Sequence, residues 1–305
     1  MYISLMKKLV LILVCILRFI IYPVPGQAQA MPPTVSIRGE YEPFARETKT
    51  LDVYVVPLTG ADCIILRCDE AWMLVDMGSQ GDFERVMTVL DSLGVEKISI
   101  AFNTHPHSDH IGGMPLLLEQ LSIERFVTTF PLDYAGQGIR QQAVVQALNK
   151  AGVPIEMMGD GSSFSLGGAV FQVMKANDSN TNTASAMLRI RFLTATILLT
   201  ADIDSRAQNT LSGRYFIKAD IMKYPHHGLE PLNAQFLGEV DPAFAFFTHN
   251  SSDTNAARAL LDRYDIPSMF ATWGVIHMQS DGERWIVDQK LTRDVRPYGV
   301  YLGPE

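Results

Sequence analysis

Cysteine is scarce in this chain: three in 305 residues. Cys15 falls in an N-terminal apolar leader, which leaves Cys63 and Cys68. Five residues of strand separate that pair by ~16 Å, whereas bridged cysteines have Cα atoms under ~7 Å apart. A disulfide-stapled scaffold is excluded, and both cysteines read as packing residues. Basic residues are also in deficit, 25 against 33 acidic ones, for a formal charge of −8. Residues 1–30 hold Lys7, Lys8 and Arg18 and no acid, so the rest of the chain has 22 basic against 33 acidic residues, or −11. An acidic surface makes poor non-specific contact with a phosphate backbone. That disfavours a nucleic-acid substrate and leaves a small phosphodiester open. Long apolar runs are missing beyond the N-terminus, which excludes a polytopic membrane protein. No short repeat or low-complexity tract is present, and 47% hydrophobic residues suffice for a large core.

What is present begins with the leader. Lys7 and Lys8 precede the apolar run Leu9 to Tyr22, Pro23, Pro25 and Gly26 break it, and Ala28-Gln29-Ala30 is an A-x-A cleavage site. The run is shorter than the ~20 residues of a spanning helix. Residues 1–30 therefore read as a signal peptide of a secreted, periplasmic or cell-surface protein, with an uncleaved membrane anchor over 9–22 as the alternative. Residues 31–49 read as an arm or linker, 50–290 as one domain, and 291–305 as a tail.

Alternation marks strands at Leu51–Val56, Cys63–Leu66 and Trp72–Val75, a helix at Phe83–Leu93 closed by Gly94, and a buried strand at Ile98–Phe102. Helices at Met114–Leu121 and Arg140–Lys150 bracket an extended Arg125–Val127. The pattern then restarts, with strands at Val170–Met174, Ser185–Phe192, Thr196–Thr200, Ile221–Tyr224, Ala243–Phe247 and Met269–Thr272. Helices at Asp204–Leu211 and Thr254–Tyr264 lie among them, and a last hairpin turns at Asp281-Gly282. Two runs of strands interleaved with helices predict an α/β fold, a four-layer αββα sandwich.

Only seven histidines exist, and three fall within Thr104-His105-Pro106-His107-Ser108-Asp109-His110-Ile111-Gly112-Gly113, directly after a buried strand. Imidazole with carboxylate suits zinc and its neighbours. His226-His227-Gly228 follows another short strand. Asp202 ends the apolar strand Leu198-Leu199-Thr200, where a carboxylate needs a partner: a metal, or the N-terminus of the following helix.

His105-x-His107-x-Asp109-His110, then Asp202, then His226-His227-Gly228 resembles the metallo-β-lactamase-fold metallohydrolases over about 240 residues. Ala61-Asp62-Cys63, Leu74-Val75-Asp76-Met77-Gly78 and Leu198 to Asp202 are similar to the subgroup containing the hydrolase domain of ComEC-type DNA-uptake proteins and the exported phosphorylcholine esterases. The resemblance implies two divalent metal ions, zinc or alternatively manganese. His105 and His107 would hold one. Asp109, His110 and His227 would hold the other, with Asp202 bridging. Asp76 would orient the histidine loop. Asp109, Asp202 and His226 would form the catalytic set, His226 contacting substrate. A water made nucleophilic between the cations would then cut a phosphodiester, small or displayed on a surface. The alternatives are a lactone or other carbonyl ester, or a binding module that kept the fold.

The chain departs from many members of that family at several points. No histidine lies between His110 and His226. Asn182 could supply an oxygen or simply sit in a turn. Ala201 stands where glycine is usual before the bridging aspartate. A later His-Pro is missing; His249 or His277 is either its substitute or an ordinary strand-end histidine.

Overall fold

Alternation along the first strong strand sets the layers. Leu51, Val53 and Val55 enter one apolar cluster, while Tyr54 and Val56 pack in another. A sheet here is therefore covered on both faces. The computed structural model describes residues 33–37, 42–132 and 138–291. The leader over 1–30, and the tail beyond residue 291, lie outside the described residues. Among the described residues, no helix is long and apolar enough to cross a membrane.

The first half supplies β1 (Thr34–Ile37), β2 (Leu51–Val55), β3 (Ile64–Cys68), β4 (Ala71–Val75), β5 (Lys97–Ile98), β6 (Ile100–Asn103), β7 (Ser122–Ile123), β8 (Phe126–Thr128) and β9 (Ile155–Met157). The second supplies β10 (Ser163–Leu166), β11 (Ala169–Met174), β12 (Met187–Phe192), β13 (Ala195–Leu199), β14 (Ile221–Lys223), β15 (Phe244–Phe247), β16 (Ser268–Phe270), β17 (Gly274–Ser280) and β18 (Arg284–Leu291). One sheet runs β1-β18-β17-β2-β3-β4-β6-β8-β9 and the other β10 through β16 in order, with β5 and β7 pairing apart. The last hairpin thus returns to the first sheet and ties the two halves together.

The helices are α1 (Phe83–Ser92), α2 (Ser108–Ile111), α3 (Met114–Gln120), α4 (Gly138–Ala151), α5 (Ser205–Leu211), α6 (Ala234–Val240) and α7 (Asn255–Asp262). Three apolar clusters fill the three interfaces. Val53, Leu66, Phe171 and Ile197 join sheet to sheet. Val86, Leu117 and Val144 of α1, α3 and α4 pack on Ile65 and Leu74. Leu211, Phe236 and Leu261 of α5, α6 and α7 pack on Leu198 and Met222. This is the expected αββα sandwich. Cys63 and Cys68 are free, buried, and in different clusters.

Two features position the site. In the first sheet β4, β6 and β8 run parallel, and in the second β13, β14 and β15 do. The segments just past β4, β6, β13 and β14 meet at one end of the sandwich, where open α/β sheets bind ligands. Differences from the sequence reading are local. Part of the arm forms β1, paired in parallel with β18 at the sheet edge. β9 and β10 fall in a stretch where no strand was expected, although Ser163-Phe164-Ser165-Leu166 alternates. The strand expected at Met269–Thr272 stops at Phe270, where the chain tightens into a 3-10 turn over Ala271–Trp273.

Candidate metal centre

β6 ends at Asn103, and the next residues carry the first histidine cluster. Asp76, one residue past β4, anchors them. It accepts from Thr104 N at 2.8 Å, Thr104 Oγ1 at 2.6 Å and Asn103 Nδ2 at 3.0 Å. It also faces His110 Nδ1 at 2.7 Å. The Thr104 hydroxyl, having donated to Asp76, is left to accept from His105 Nδ1 at 3.1 Å. Both rings therefore carry their proton on Nδ1 and turn a lone pair outward from Nε2. α2 sets Asp109 beside His110, and Gly113 follows because a Cβ there would strike the carbonyl oxygen of Met77.

From the second sheet come Asp202 and the histidine pair. Three site residues adopt left-handed backbone here: Ala201 (φ 49°), His226 (φ 48°) and His227 (φ 58°); Asp76 across the cleft does too (φ 58°). Such strain at non-glycine residues collects at functional sites. Gly228, at φ 110°, has no room for a Cβ, which would lie 2.6 Å from Phe247 and from Thr254.

The Nε2 atoms of His110 and His227 converge with two carboxylate oxygens. Asp109 Oδ2 is 3.3 Å from each, and Asp202 Oδ2 is 3.2 Å from His110 and 3.3 Å from His227. A tetrahedron with ~2.0–2.1 Å metal–ligand bonds has edges of about 3.3–3.4 Å. Both Nε2 atoms are buried without a hydrogen-bond partner. The donor set fits a divalent cation. Beside it, His105 Nε2 and His107 Nδ1 lie 3.1 Å apart, and Asp202 Oδ2 is 3.8 Å from the former. These three atoms form a second, sparser donor group.

The structure brings together every residue named as a ligand: His105, His107, Asp109, His110, Asp202 and His227. His227 faces inward with its side chain 3% exposed, while His226 is 30% exposed with Nε2 3.6 Å from Asp202 Oδ2. His277 is elsewhere, stacked on Tyr54 at 4.2 Å and bonded to Asp52. His249 pairs with Asp253 at 3.5 Å. Asn182 lies in a turn closed by Ser185 N to its carbonyl, although its Oδ1 is buried without a partner.

Sequence reading gave no role to two residues, Asp62, which it quoted only within Ala61-Asp62-Cys63, and Lys223. Asp62, Asp202, His110 and His227 present ligand atoms within 4.8 Å of one another. Asp62, however, approaches the rear: its Oδ1 is 3.0 Å from His227 Nδ1, and its Oδ2 is 2.8 Å from Lys223 Nζ. It orients His227, together with Thr248 Oγ1 at 2.9 Å. Lys223, 1% exposed, also donates to the Ala201 carbonyl at 3.0 Å. The available signal was an acid opening one apolar strand and a lysine inside another.

Charge follows this geometry. Burial would raise the Asp202 carboxyl, but His110 and His227 outweigh it and hold it well below the usual carboxylate range. Burial opposes charging of the imidazoles, yet Asp202, with Asp76 beside one and Asp62 beside the other, lifts His110 well above its ordinary value and His227 to about 10. Around His105 and His107 burial prevails and lowers both.

Carboxylate-backed imidazoles sharing one aspartate, at the strand ends of an αββα sandwich, define a metal-dependent hydrolase class. The chain belongs to the metallo-β-lactamase superfamily, whose family model matches residues 56–265. It is similar to ComE operon protein 3 of Bacillus subtilis (strain 168), at 24% identity over 164 residues, 52% of this chain and 21% of that protein. It is also similar to zinc phosphodiesterase ELAC protein 1 of Bos taurus, at 33% over 90 residues, 28% of this chain and 24% of that protein. The chain thus spans under a quarter of the length of these curated relatives. The solved metallo-β-lactamase fold protein YhfI from Bacillus subtilis shares the fold, with TM-score 0.51 and 13% identity over 73% of this chain and 96% of that one.

Proposed function

We propose that this protein is an exported phosphodiesterase that uses two divalent cations, zinc in the first instance. The observation that carries the reading is the position of Asp202 Oδ2, within 3.2–3.8 Å of ring nitrogens from His105, His110, His226 and His227. One carboxylate oxygen central to both donor groups is suited to bridge two ions. His105 and His107 would hold one ion, and Asp109, His110 and His227 the other. Such ions supply Lewis acidity and make a bound water acidic enough to attack near neutral pH. The chain's own residues do the rest. His107, Asp109 and His226 are the partly exposed members, so substrate enters on their side. His226 at that rim donates a proton to the leaving oxygen. Asp76 and Asp62 fix the tautomers of His110 and His227 behind it.

The phosphodiester assignment is supported by the partial likeness to a zinc phosphodiesterase and by the oxygen-and-nitrogen donor set. Export is supported by the leader at residues 1–30, and an exported chain starting at Met31 on N-terminal sequencing is the expected outcome. The test of activity is hydrolysis of bis(p-nitrophenyl) phosphate with added zinc or manganese and a chelator control. Chelator-sensitive turnover is expected. Two bound metals with no turnover would move the assignment to carbonyl esters such as lactones. No metal bound would leave a binding module.

A further inference from the structure

A cavity lies at the end of β8, the strand beside the one that carries the histidine loop. β8 runs parallel to β6 with Thr128 opposite Asn103, so Thr129 comes beside Thr104 and its hydroxyl donates to the Thr104 carbonyl at 3.2 Å. The same carbonyl accepts from Ala186 N at 3.1 Å. Ala186 precedes Met187, which pairs with Met174 at the end of β11. The next residue after Met174 is Lys175. Its Nζ donates to the Thr129 carbonyl at 2.8 Å and lies 4.0 Å from the centre of the Phe130 ring. The ammonium is thus tied through Thr129 to the residue preceding His105.

Lys175, Thr129, Asn177, Met157, Arg214 and Asp160 help to line a cavity of about 330 Å³, within the range of small-ligand pockets. Arg214 is already paired with Asp160. Among the described residues, no carboxylate lies within ion-pair distance of Lys175 Nζ, whose partners are the Thr129 carbonyl and the Phe130 ring; Asp160 accepts from the Lys175 backbone N at 2.9 Å instead. Burial lowers its pKa to about 8 against the opposing pull of Asp160. A lysine ammonium has three N–H donors, and one acceptor satisfies one of them. A partly dehydrated cation with unused donors gains most from an anion.

We propose that this cavity is a subsite for a second anionic group of the substrate, a phosphate or carboxylate beyond the bond that is cut, with Lys175 as its main contact. The proposal rests on the phosphodiesterase reading and narrows it: substrates ending in an anion are favoured over those ending in a quaternary ammonium.

The test compares thymidine 5′-(p-nitrophenyl phosphate) with its 3′-phosphorylated form, using the metal-loaded protein, with p-nitrophenyl phosphorylcholine as the cationic arm. The 3′-phosphate should lower KM about tenfold, the size of one charge-assisted contact, and the choline ester should show no such gain. Lys175→Met should bring the ratio of the two thymidine esters close to one, whereas Lys175→Arg should keep most of it. Equal KM values in the native protein, or a ratio that survives in Lys175→Met, would overturn the proposal. If neither ester is cut, the phosphodiesterase reading fails by itself. The same pair then serves as ligands in calorimetry: tighter binding of the 3′-phosphorylated ester that is lost in Lys175→Met upholds the subsite, and equal binding removes it.

Discussion

The two donor groups of the centre are built differently. His110 and His227 each have a carboxylate behind them, Asp76 at 2.7 Å and Asp62 at 3.0 Å. His105 has only the Thr104 hydroxyl, at 3.1 Å. The same contrast appears in protonation: carboxylates raise the first pair and burial lowers His105 and His107. The Asp109–His110–His227 group is an electrostatic deficit that a proton or a cation must fill. The His105–His107 group offers lone pairs without that demand. Two ions bound here should therefore differ in affinity, with the carboxylate-backed position filling first, and Asp202 is what the two positions share.

Removing the shared group should have the largest effect. Asp202→Ala should lose both metals, measured by elemental analysis, and lower turnover by more than the ~10–100-fold typical of outer partners. Full activity in this variant would show that the site is wrongly placed. Lys223→Met comes next, and its effect is on folding. It takes from buried Asp62 one of its two cationic partners, leaving His227, and from the Ala201 carbonyl its lysine donor, at a cost of about 1–3 kcal/mol, measured by denaturant unfolding of the metal-free protein. Adding Asp62→Asn should recover part of that loss, because the carboxylate that lost its lysine is then gone.

The direct break of the comparison is smaller. Asp62→Asn should weaken the first-filled metal by ~10–100-fold, read by chelator competition, and spare the other, whereas Asp76→Asn should weaken both, because Asp76 also holds the Thr104 hydroxyl behind His105. His107→Ala should do the reverse of Asp62→Asn. pH sharpens the same contrast. The pKa of His227 is raised from 6.5 to about 10. In the metal-free protein its contribution to stability is therefore complete below about pH 6.5 and disappears as pH rises through about 10. Melting temperature of the chelated protein should fall across that window. The metal-loaded protein should not show this fall, because there the cation takes the proton's place, and metal affinity should rise with pH.

The contrast also separates what could be read in the sequence from what could not. The αββα layering was legible in the alternation of Leu51 to Val55 and in glycines closing helices. The candidate ligands were legible because histidine is rare here and clusters at strand ends. β1 and β9 were hidden because they are short edge strands with exposed positions, and the alternation of Thr34-Val35-Ser36-Ile37 runs for only four residues. The roles of Asp62 and Lys223 were hidden for another reason. A lone acid and a lone lysine have no spacing, and Asp62 meets His227 across 165 residues of sequence. The sequence exposed the donors, while the groups that aim and charge them became visible only once the two sheets were brought together.

The smallest effect concerns how Asp202 is aimed. Ala201 holds φ 49° immediately before it, a conformation costing a non-glycine residue about 1–2 kcal/mol. Glycine would remove that cost but add about 0.4–1 kcal/mol of chain entropy to the unfolded state, so Ala201→Gly should be stabilising by up to about 1 kcal/mol, a rise of a few degrees in Tm. Metal affinity should be unchanged, because the Ala201 carbonyl is pinned by Lys223 Nζ and by His226 N, both at 3.0 Å. If stability rises but both metals bind more weakly, the alanine methyl itself holds the turn. The strain would then be part of what directs the shared carboxylate at both donor groups.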